Sequence, residues 1–280
     1  MATRRSFDID ENISEFFREL SKLEDEMINE LQLPVASMPE SLPITVLEEG
    51  KSAAELWDVF LDKEVFKQHA QKIADFIIEH RPSAAEEAAK IARIITAGAD
   101  EEMLEHAIYF DASQLSDYAI QHGLSAGLFL LMIQNAVQPQ MRIWSQHFRQ
   151  IADLESLNQK WRQPYCPFCG QRASISRLRK EDGVRVMFCA HCFMEWEYQH
   201  LLCSYCGNAD PEKIEIISIG NDRFDLIYGC KECKGYLKTL NEKYGYLPEN
   251  LWLESMCTFF LDLLAEEHGY SNSLESKLVS

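Results

Sequence analysis

The 280-residue sequence has little proline and glycine, few positive charges and no long apolar segment. Nine prolines and twelve glycines are too few for a collagen-like or low-complexity chain. Lys and Arg number 27 against 45 Asp and Glu, a formal net charge of −18, whereas a protein that coats nucleic acid needs a basic surface. The longest apolar run, Ala126–Ile133, is much shorter than the roughly 20 residues that a membrane-spanning helix requires. The sequence therefore predicts a folded protein with no nucleic-acid partner and no membrane insertion.

Cysteine is absent from residues 1–160 and abundant afterwards. Eight of the nine cysteines form four C-x-x-C pairs, which are Cys166/Cys169, Cys189/Cys192, Cys203/Cys206 and Cys230/Cys233. The first thirty residues contain no apolar core of an export signal, because Asp8 and Asp10 follow the arginine pair 4–5 where an apolar stretch would be needed. We therefore expect a reducing, cytoplasmic compartment in which the thiols are free to bind metal.

The side-chain pattern changes near residue 160. Before that point apolar residues recur at helical spacing, and the segment 124–137 is apolar on most sides, which predicts a buried helix. Short strand-like runs follow at 184–188, 193–202 and 214–219, and the helical period returns after Tyr246. The predicted fold class is α+β, with an all-α helical domain at 1–160, two tandem small-β metal ribbons at 161–245, and a C-terminal helix and tail at 246–280.

The spacing of the four pairs predicts two metal sites. Two C-x-x-C turns, or knuckles, supply the four thiolates of a tetrahedral site. In the first ribbon nineteen residues, beginning with Gly170, separate the first knuckle from one that no glycine follows. The second ribbon repeats this order, with twenty-three residues that begin with Gly207. The favoured grouping is Cys166, Cys169, Cys189 and Cys192 for one site, and Cys203, Cys206, Cys230 and Cys233 for the other. An interleaved grouping is the alternative.

Four protein thiolates close the coordination sphere of a metal ion, which argues against hydrolytic metal catalysis. Iron and zinc both suit an all-sulfur site. No catalytic residue and no binding site for an organic cofactor is predicted. Five cations lie between the knuckles of the first ribbon, where they either balance the thiolate charge or face an anionic partner; these are Arg172, Arg177, Arg179, Lys180 and Arg185.

An ordered series of motifs resembles the formate dehydrogenase accessory protein family, FdhE. The motifs are W-R-Q-P-Y-C-P-F-C-G at 161–170, G-V-R-V-M-F-C at 183–189, C-F-M-E-W at 192–196, C-S-Y-C-G at 203–207, C-K-E-C-K-G-Y-L-K at 230–238 and L-D-L-L-A-E-E-H-G-Y at 261–270. The likeness extends over about residues 160–272. In one departure, members usually carry an arginine shortly after the Glu-Trp pair, where this chain has E-Y-Q-H at 197–200.

The resemblance implies a cytoplasmic maturation factor that is not an enzyme. Such a protein would bind the catalytic subunit of respiratory formate dehydrogenase and would be required for its activity. It would carry two metal ions on rubredoxin-like ribbons, iron by the resemblance, with zinc as the other candidate. Two further functions stay open from the sequence: a rubredoxin-like one-electron carrier, and a zinc-ribbon protein that binds nucleic acid.

Overall fold

The structure, a computed structural model, describes residues 11–31, 39–41, 49–98, 101–245, 248 and 250–272. The predicted mixture of helices and sheet is confirmed. The helices are α1 (Glu11–Glu30), α2 (Ala53–Leu56), α3 (Lys63–His80), α4 (Ala85–Gly98), α5 (Glu101–Ile108), α6 (Ala112–Gln121), α7 (Ala126–Ile151), α8 (Leu154–Lys160), α9 (Leu251–Cys257) and α10 (Phe259–Glu267). The strands are β1 (Ile175–Leu178), β2 (Arg185–Phe188), β3 (Glu195–Tyr198), β4 (Ile214–Ser218), β5 (Asp225–Cys230) and β6 (Tyr236–Asn241).

The chain divides into two compact units that do not follow the order of the sequence. One unit comprises Met1–Arg18, Ser41–Leu56 and Ile151–Ser280, and the other comprises Glu19–Glu40 and Trp57–Gln150. These units are groups of residues that lie close in space. That 1–160, 161–245 and 246–280 fold as separate domains stays a prediction.

The unit around Trp57–Gln150 is built from amphipathic helices and one buried helix. The predicted buried segment 124–137 is confirmed as part of α7, whose buried apolar residues include Phe129, Met132, Ile133, Ala136 and Val137. Gln140 is also buried there, and both of its side-chain polar atoms bond to the backbone of Asp62, at 2.8 and 3.1 Å. Buried polar groups need such partners, so this amide fixes the start of α3 against α7.

The six strands form one sheet in the order β3-β2-β1-β6-β5-β4. The first three strands are an antiparallel meander, the last three are a second one, and β1 pairs with β6 in parallel. The runs predicted as strands correspond to β2, β3 and β4. The parallel pairing is new information, because the sequence predicts two ribbons and nothing in it indicates that they share a sheet.

The C-terminal helices cover part of this sheet. Ile217 and Ile227 of β4 and β5 pack with Leu261 and Ala265 of α10 in one buried cluster. Lys238 of β6 reaches the same helices, because its Nζ donates to Ser255 O at 2.7 Å and to Asp262 Oδ2 at 2.8 Å. The predicted C-terminal helix is therefore two short helices, of which α10 supplies the apolar cover.

A hydrogen bond between two hydroxyl groups lies at the junction of the meanders. Ser176 on β1 and Thr239 on β6 are paired in register, both are fully buried, and their Oγ and Oγ1 atoms are 2.8 Å apart. A hydroxyl that loses its buried partner keeps the full cost of its lost hydration. Replacing one of the two residues leaves the other hydroxyl without its partner, whereas replacing both removes the pair. A single replacement is therefore the more destabilising change.

We expect Ser176→Ala to lower the free energy of unfolding by about 1–3 kcal/mol, because it leaves the Thr239 hydroxyl without this partner. Thr239→Val should have an effect of similar size. The double variant should cost clearly less than the sum, which urea unfolding of the metal-loaded protein measures as a double-mutant cycle. Additive effects of the two substitutions would show that this hydrogen bond does not stabilise the junction.

Candidate metal centres

All four knuckles share one pair of backbone hydrogen bonds. In each knuckle the fourth residue after the first cysteine donates its N–H to that cysteine's carbonyl, at 2.8–3.1 Å. The N–H of the first cysteine donates in turn to the carbonyl of the fifth residue after it, at 2.7–3.0 Å. These bonds close a tight turn that directs both sulfur atoms to the same side. The repeated C-x-x-C spacing therefore produces the same local structure four times.

The residue after the second cysteine has a positive φ in every knuckle. The sequence predicts this for Gly170 and Gly207, and their φ values of +75° and +69° confirm it. The second and fourth knuckles adopt the same conformation with Phe193 and Lys234, both at φ 60°. A side chain in this region costs roughly 1–2 kcal/mol relative to glycine. All four knuckles thus have the same turn geometry, including the two in which the residue after the second cysteine is not glycine.

The eight cysteines converge into the two groups that the spacing favours. Cys166, Cys169, Cys189 and Cys192 form the first group, and Cys203, Cys206, Cys230 and Cys233 form the second. Within each group all four sulfur atoms lie within 4.8 Å of one another. The interleaved grouping is not observed. Metal binding by these eight residues stays a prediction, because what the structure shows is their arrangement.

The sulfur spacing fits a tetrahedral ion. Cys166 and Cys192 sulfurs are 3.5 Å apart, and so are those of Cys169 and Cys189. The Cys203–Cys233 and Cys206–Cys230 distances in the second group are 3.7 and 3.9 Å. A metal–sulfur bond of about 2.3 Å in a regular tetrahedron places neighbouring sulfurs about 3.8 Å apart. Both groups could therefore hold one metal ion each, and thiolate donors suit iron and zinc alike.

The chemistry of the donors also fits a metal cation. Burial and the neighbouring sulfurs raise the pKa of the Cys169 thiol, and burial raises that of Cys233 to about 11. In the second group the N–H groups of Tyr205 and Cys206 donate to Cys203 Sγ at 3.3 and 3.4 Å. Such donors favour a thiolate once a metal has displaced its proton. Four adjacent thiolates without a metal would repel each other strongly.

The two groups differ in exposure. All four cysteines of the first group are buried, whereas Cys206 is exposed and Cys233 is half-buried in the second. Residues 49–56, which lie far from the knuckles in the sequence, explain part of this difference. Ala53 N and Ala54 N donate to the carbonyls of Pro167 and Phe168 inside the first knuckle, at 2.9 and 2.8 Å. The first group is therefore covered by a second chain segment.

Pro34, Pro39 and Pro43 interrupt the helical pattern and predict an irregular stretch to about Gly50, either a functional loop or a covering segment. Most of that stretch lies outside the described residues, and the contacts that cover the first knuckle come from the residues that follow it. The helical spacing of Leu56, Val59 and Phe60 predicts a helix and indicates no contact with the knuckle; Leu56 ends α2, whereas Val59 and Phe60 lie outside the helices.

Two of the five cations of the first ribbon form ion pairs with carboxylates in or next to the sheet. Arg177 Nη1 lies 2.9 Å from Glu242 Oε1, beyond the end of β6, and Arg177 Nη2 lies 3.1 Å from Glu195 Oε2 on β3. Arg179 is likewise paired with two carboxylates. Arg177 therefore ties the first meander to the second, whereas both carboxylates of Arg179 belong to the first meander.

Two further contacts connect the metal groups. Arg172, just after the first knuckle, lies with its guanidinium carbon 4.4 Å from the ring centre of Tyr205 in the third knuckle. Tyr198 on β3 donates its hydroxyl to Cys203 O at 3.1 Å. Both contacts bring residues of the first ribbon against the second group. The two candidate centres thus belong to one structural unit.

Together, the helices, the single mixed sheet and the two groups of four cysteines define a protein of tandem knuckles whose cysteine groups could each hold a metal ion. No protein-family model matches the chain. Among curated proteins it is similar to "Protein FdhE homolog" of Aquifex aeolicus, with 24% identity over 155 residues, 54% of this chain and 52% of that protein. It is also similar to "Protein FdhE homolog" of Haemophilus influenzae strain Rd, with 27% identity over 225 residues, 76% of this chain and 68% of that protein.

A comparison with solved structures also leads to an FdhE protein. The crystal structure of the FdhE protein from Pseudomonas aeruginosa matches 93% of this chain and 90% of its own, with a TM-score of 0.58 and 16% identity. The chain spans about half the length of the Aquifex relative. The chain is therefore similar in sequence to curated FdhE homologues, and similar in fold to an FdhE protein. Among the described residues, no helix has the length and apolar character needed to cross a membrane.

We expect metal-loaded wild-type protein to contain two ions per chain, one at each group. The double variant Cys166→Ser/Cys169→Ser should contain one, because each group has its own four sulfurs. Cys203→Ser/Cys206→Ser is the matched variant and should also retain one. Metal analysis of the purified proteins by mass spectrometry measures the count. Loss of both ions in either variant, with the fold intact by circular dichroism, would contradict independent sites.

A second prediction concerns the knuckle conformation. Gly207→Ala should lower the free energy of unfolding by roughly 1–2 kcal/mol, because the residue has φ +69° and an added methyl group meets no atom within 4 Å. Gly127→Ala is the matched control: that methyl group also meets no atom, but the residue lies in helix α7. This control should be stabilising by up to about 1 kcal/mol. Equal effects of the two substitutions on denaturant unfolding would refute the strain argument.

Proposed function

We propose that this protein is a cytoplasmic accessory protein that binds the catalytic subunit of respiratory formate dehydrogenase and is needed for its activity. The observation that carries the proposal is the pair of four-cysteine groups, in the order of the FdhE motifs, on a fold shared with an FdhE protein. Curated relatives with the FdhE name support it. The protein itself would convert no substrate.

The donor sets support an accessory role. The first group would hold its ion with Cys166, Cys169, Cys189 and Cys192. The second would hold its ion with Cys203, Cys206, Cys230 and Cys233. Four thiolates leave no coordination position for a substrate or for a reactive water. A bound ion would stabilise the folded ribbons, and a bound iron would in addition exchange single electrons.

A one-electron carrier is the second candidate, and the exposure of Cys206 favours it. An exposed ligand brings the edge of the second centre to the protein surface, while the first centre stays covered. If the native ion is iron, this edge would be the place where an electron enters or leaves. A colourless zinc form as the native state would exclude this candidate, and a reversible redox wave from an aerobically red protein would support it.

The test is deletion of the gene in a formate-grown host, followed by complementation. We expect respiratory formate oxidation to be lost, to be restored by the wild-type chain, and to be restored poorly by Cys203→Ser/Cys206→Ser. Tagged wild-type protein should co-purify with the dehydrogenase catalytic subunit, identified by mass. The purified chain alone should not oxidise formate. Undiminished formate oxidation in the deletion strain, with no co-purifying subunit, would overturn the proposal.

A further inference from the structure

A cleft of about 280 Å³ borders the second cysteine group, and Cys206, the exposed member of that group, lines it. Its walls come from residues 162–165 before the first knuckle, from the end of β3 and from residues 205–207 in the third knuckle. All of these residues belong to the unit that carries the sheet. Nothing in the metal-binding arrangement or in the proposed function explains why this cleft is present.

The charge of the lining differs from that of the whole chain. Arg162 and Arg172 both line the cleft, and none of the described residues that line it carries a carboxylate. The complete sequence, in contrast, has 45 acidic and 27 basic side chains. An acidic group therefore meets two cations at this cleft, whereas the net charge of the chain would repel it.

Arg162 is available to a ligand. The residue is exposed, and among the described residues no hydrogen bond or ion pair engages it. A guanidinium group binds a carboxylate through two parallel hydrogen bonds, which are stronger than those between neutral groups. Arg162 can form such a pair with an incoming carboxylate without first losing another partner.

Arg172 is held in place on the same cleft. It is half-buried, its guanidinium carbon lies 4.4 Å from the ring centre of Tyr205, and its Nη1 donates to Tyr205 O at 3.3 Å. These contacts order a long side chain before any ligand arrives. A ligand that pairs with Arg172 therefore costs less rotamer freedom than one that must order a free arginine.

The tyrosines of the lining already use their hydroxyl hydrogens within the chain. Tyr165 Oη donates to Gly50 O at 2.6 Å, and Tyr198 Oη donates to Cys203 O at 3.1 Å. The charged donors that the cleft offers are thus the two arginines. This donor set favours an anionic oxygen over a neutral polar group.

The size and position of the cleft favour an anion that a larger partner presents. Sites for drug-sized ligands usually measure about 300–1,000 Å³, and this cleft is slightly smaller than that range. Arg162, Cys206 and Gly207 on its lining are all exposed, so the cleft opens to the surface. A few side chains of another protein fit such a volume.

The metal limits the range of the attraction. A divalent ion with four thiolates carries a net negative charge, and the two arginines offset it. Short-range ion pairs must therefore supply the affinity. We propose that this cleft binds an acidic segment of a partner protein, whose carboxylates pair with Arg162 and Arg172 next to Cys206. The inference rests on the proposed function in one respect, which is that the chain has a protein partner.

The experiment uses the full, metal-loaded chain and three labelled probes. One probe is a peptide of alternating glutamate and alanine, the second has glutamine in place of glutamate, and the third is a single-stranded DNA. Fluorescence anisotropy measures affinity. We expect saturable binding of the glutamate peptide, at least about tenfold weaker binding of the glutamine peptide, and weaker binding of both the glutamate peptide at high salt and the DNA at any salt.

Arg162→Glu reverses one charge of the cleft and should weaken binding of the glutamate peptide by at least about tenfold. Arg223→Glu is the matched control, because Arg223 is also an exposed arginine of the same unit but does not line the cleft. Both variants change the net charge equally, and the control should keep the affinity of wild type. Arg172→Gln should weaken binding too; if metal analysis shows that it loses an ion, the first two variants decide.

Co-purification with the dehydrogenase catalytic subunit separates this inference from the proposed function. We expect wild type and Arg223→Glu to retain the subunit and Arg162→Glu to lose most of it. If wild type does not retain the subunit, the proposed function fails, and the peptide measurements still decide whether the cleft binds carboxylates.

Four results would overturn the inference. The first is the absence of saturable binding of the glutamate peptide to wild type, and the second is equal affinity of Arg162→Glu and Arg223→Glu for that peptide. The third is tighter binding of DNA than of the glutamate peptide, which would make the ligand a nucleic acid. The fourth is full retention of the catalytic subunit by Arg162→Glu, which would place the partner elsewhere on the chain.

Discussion

The parallel pairing of β1 with β6 is the interaction on which the metal-binding unit depends. Each meander has three strands of only four to six residues, near the minimum for an independently stable sheet. The pairing joins two such meanders into a six-stranded sheet, in which α10 packs on the second meander. It also places the fully buried Ser176 and Thr239 at the centre of the sheet, where a polar pair must be satisfied internally. The two cysteine groups are therefore parts of one structure.

The sequence predicted the local features of this unit well, and for a physical reason. A C-x-x-C turn is closed by hydrogen bonds between residues four and five positions apart, so its geometry depends on few neighbours. The groups of four cysteines could be predicted from spacing for the same reason. The alternating run at 193–202 likewise contains strand β3, because side-chain alternation is itself a local property.

The features that the sequence did not predict depend on distant contacts. No residue of β1 carries a sign that its neighbour will be β6, about sixty positions later. The helical pattern returns with Leu56, and nothing in it indicates that the backbone of Ala53 and Ala54 bonds to the first knuckle. Phe193 and Lys234 stand where the other two knuckles have glycine, yet the tertiary structure gives them the same positive φ. The five cations of the first ribbon looked alike in sequence, and only burial and partners separate Arg185 from Arg177 and Arg179.

The same local turn therefore serves two differently exposed centres, and the difference comes from what surrounds each turn. The first centre lies beneath residues of a distant segment, and a metal there would be shielded from water and from other proteins. The second has Cys206 at the surface, and contacts from Arg172 and Tyr198 hold its knuckle against the first ribbon. An ion in either group would stabilise its ribbon. Only the second group would also bring a ligand, Cys206, to the surface, where a partner could contact it. The difference in surroundings therefore separates two groups whose local turns are the same.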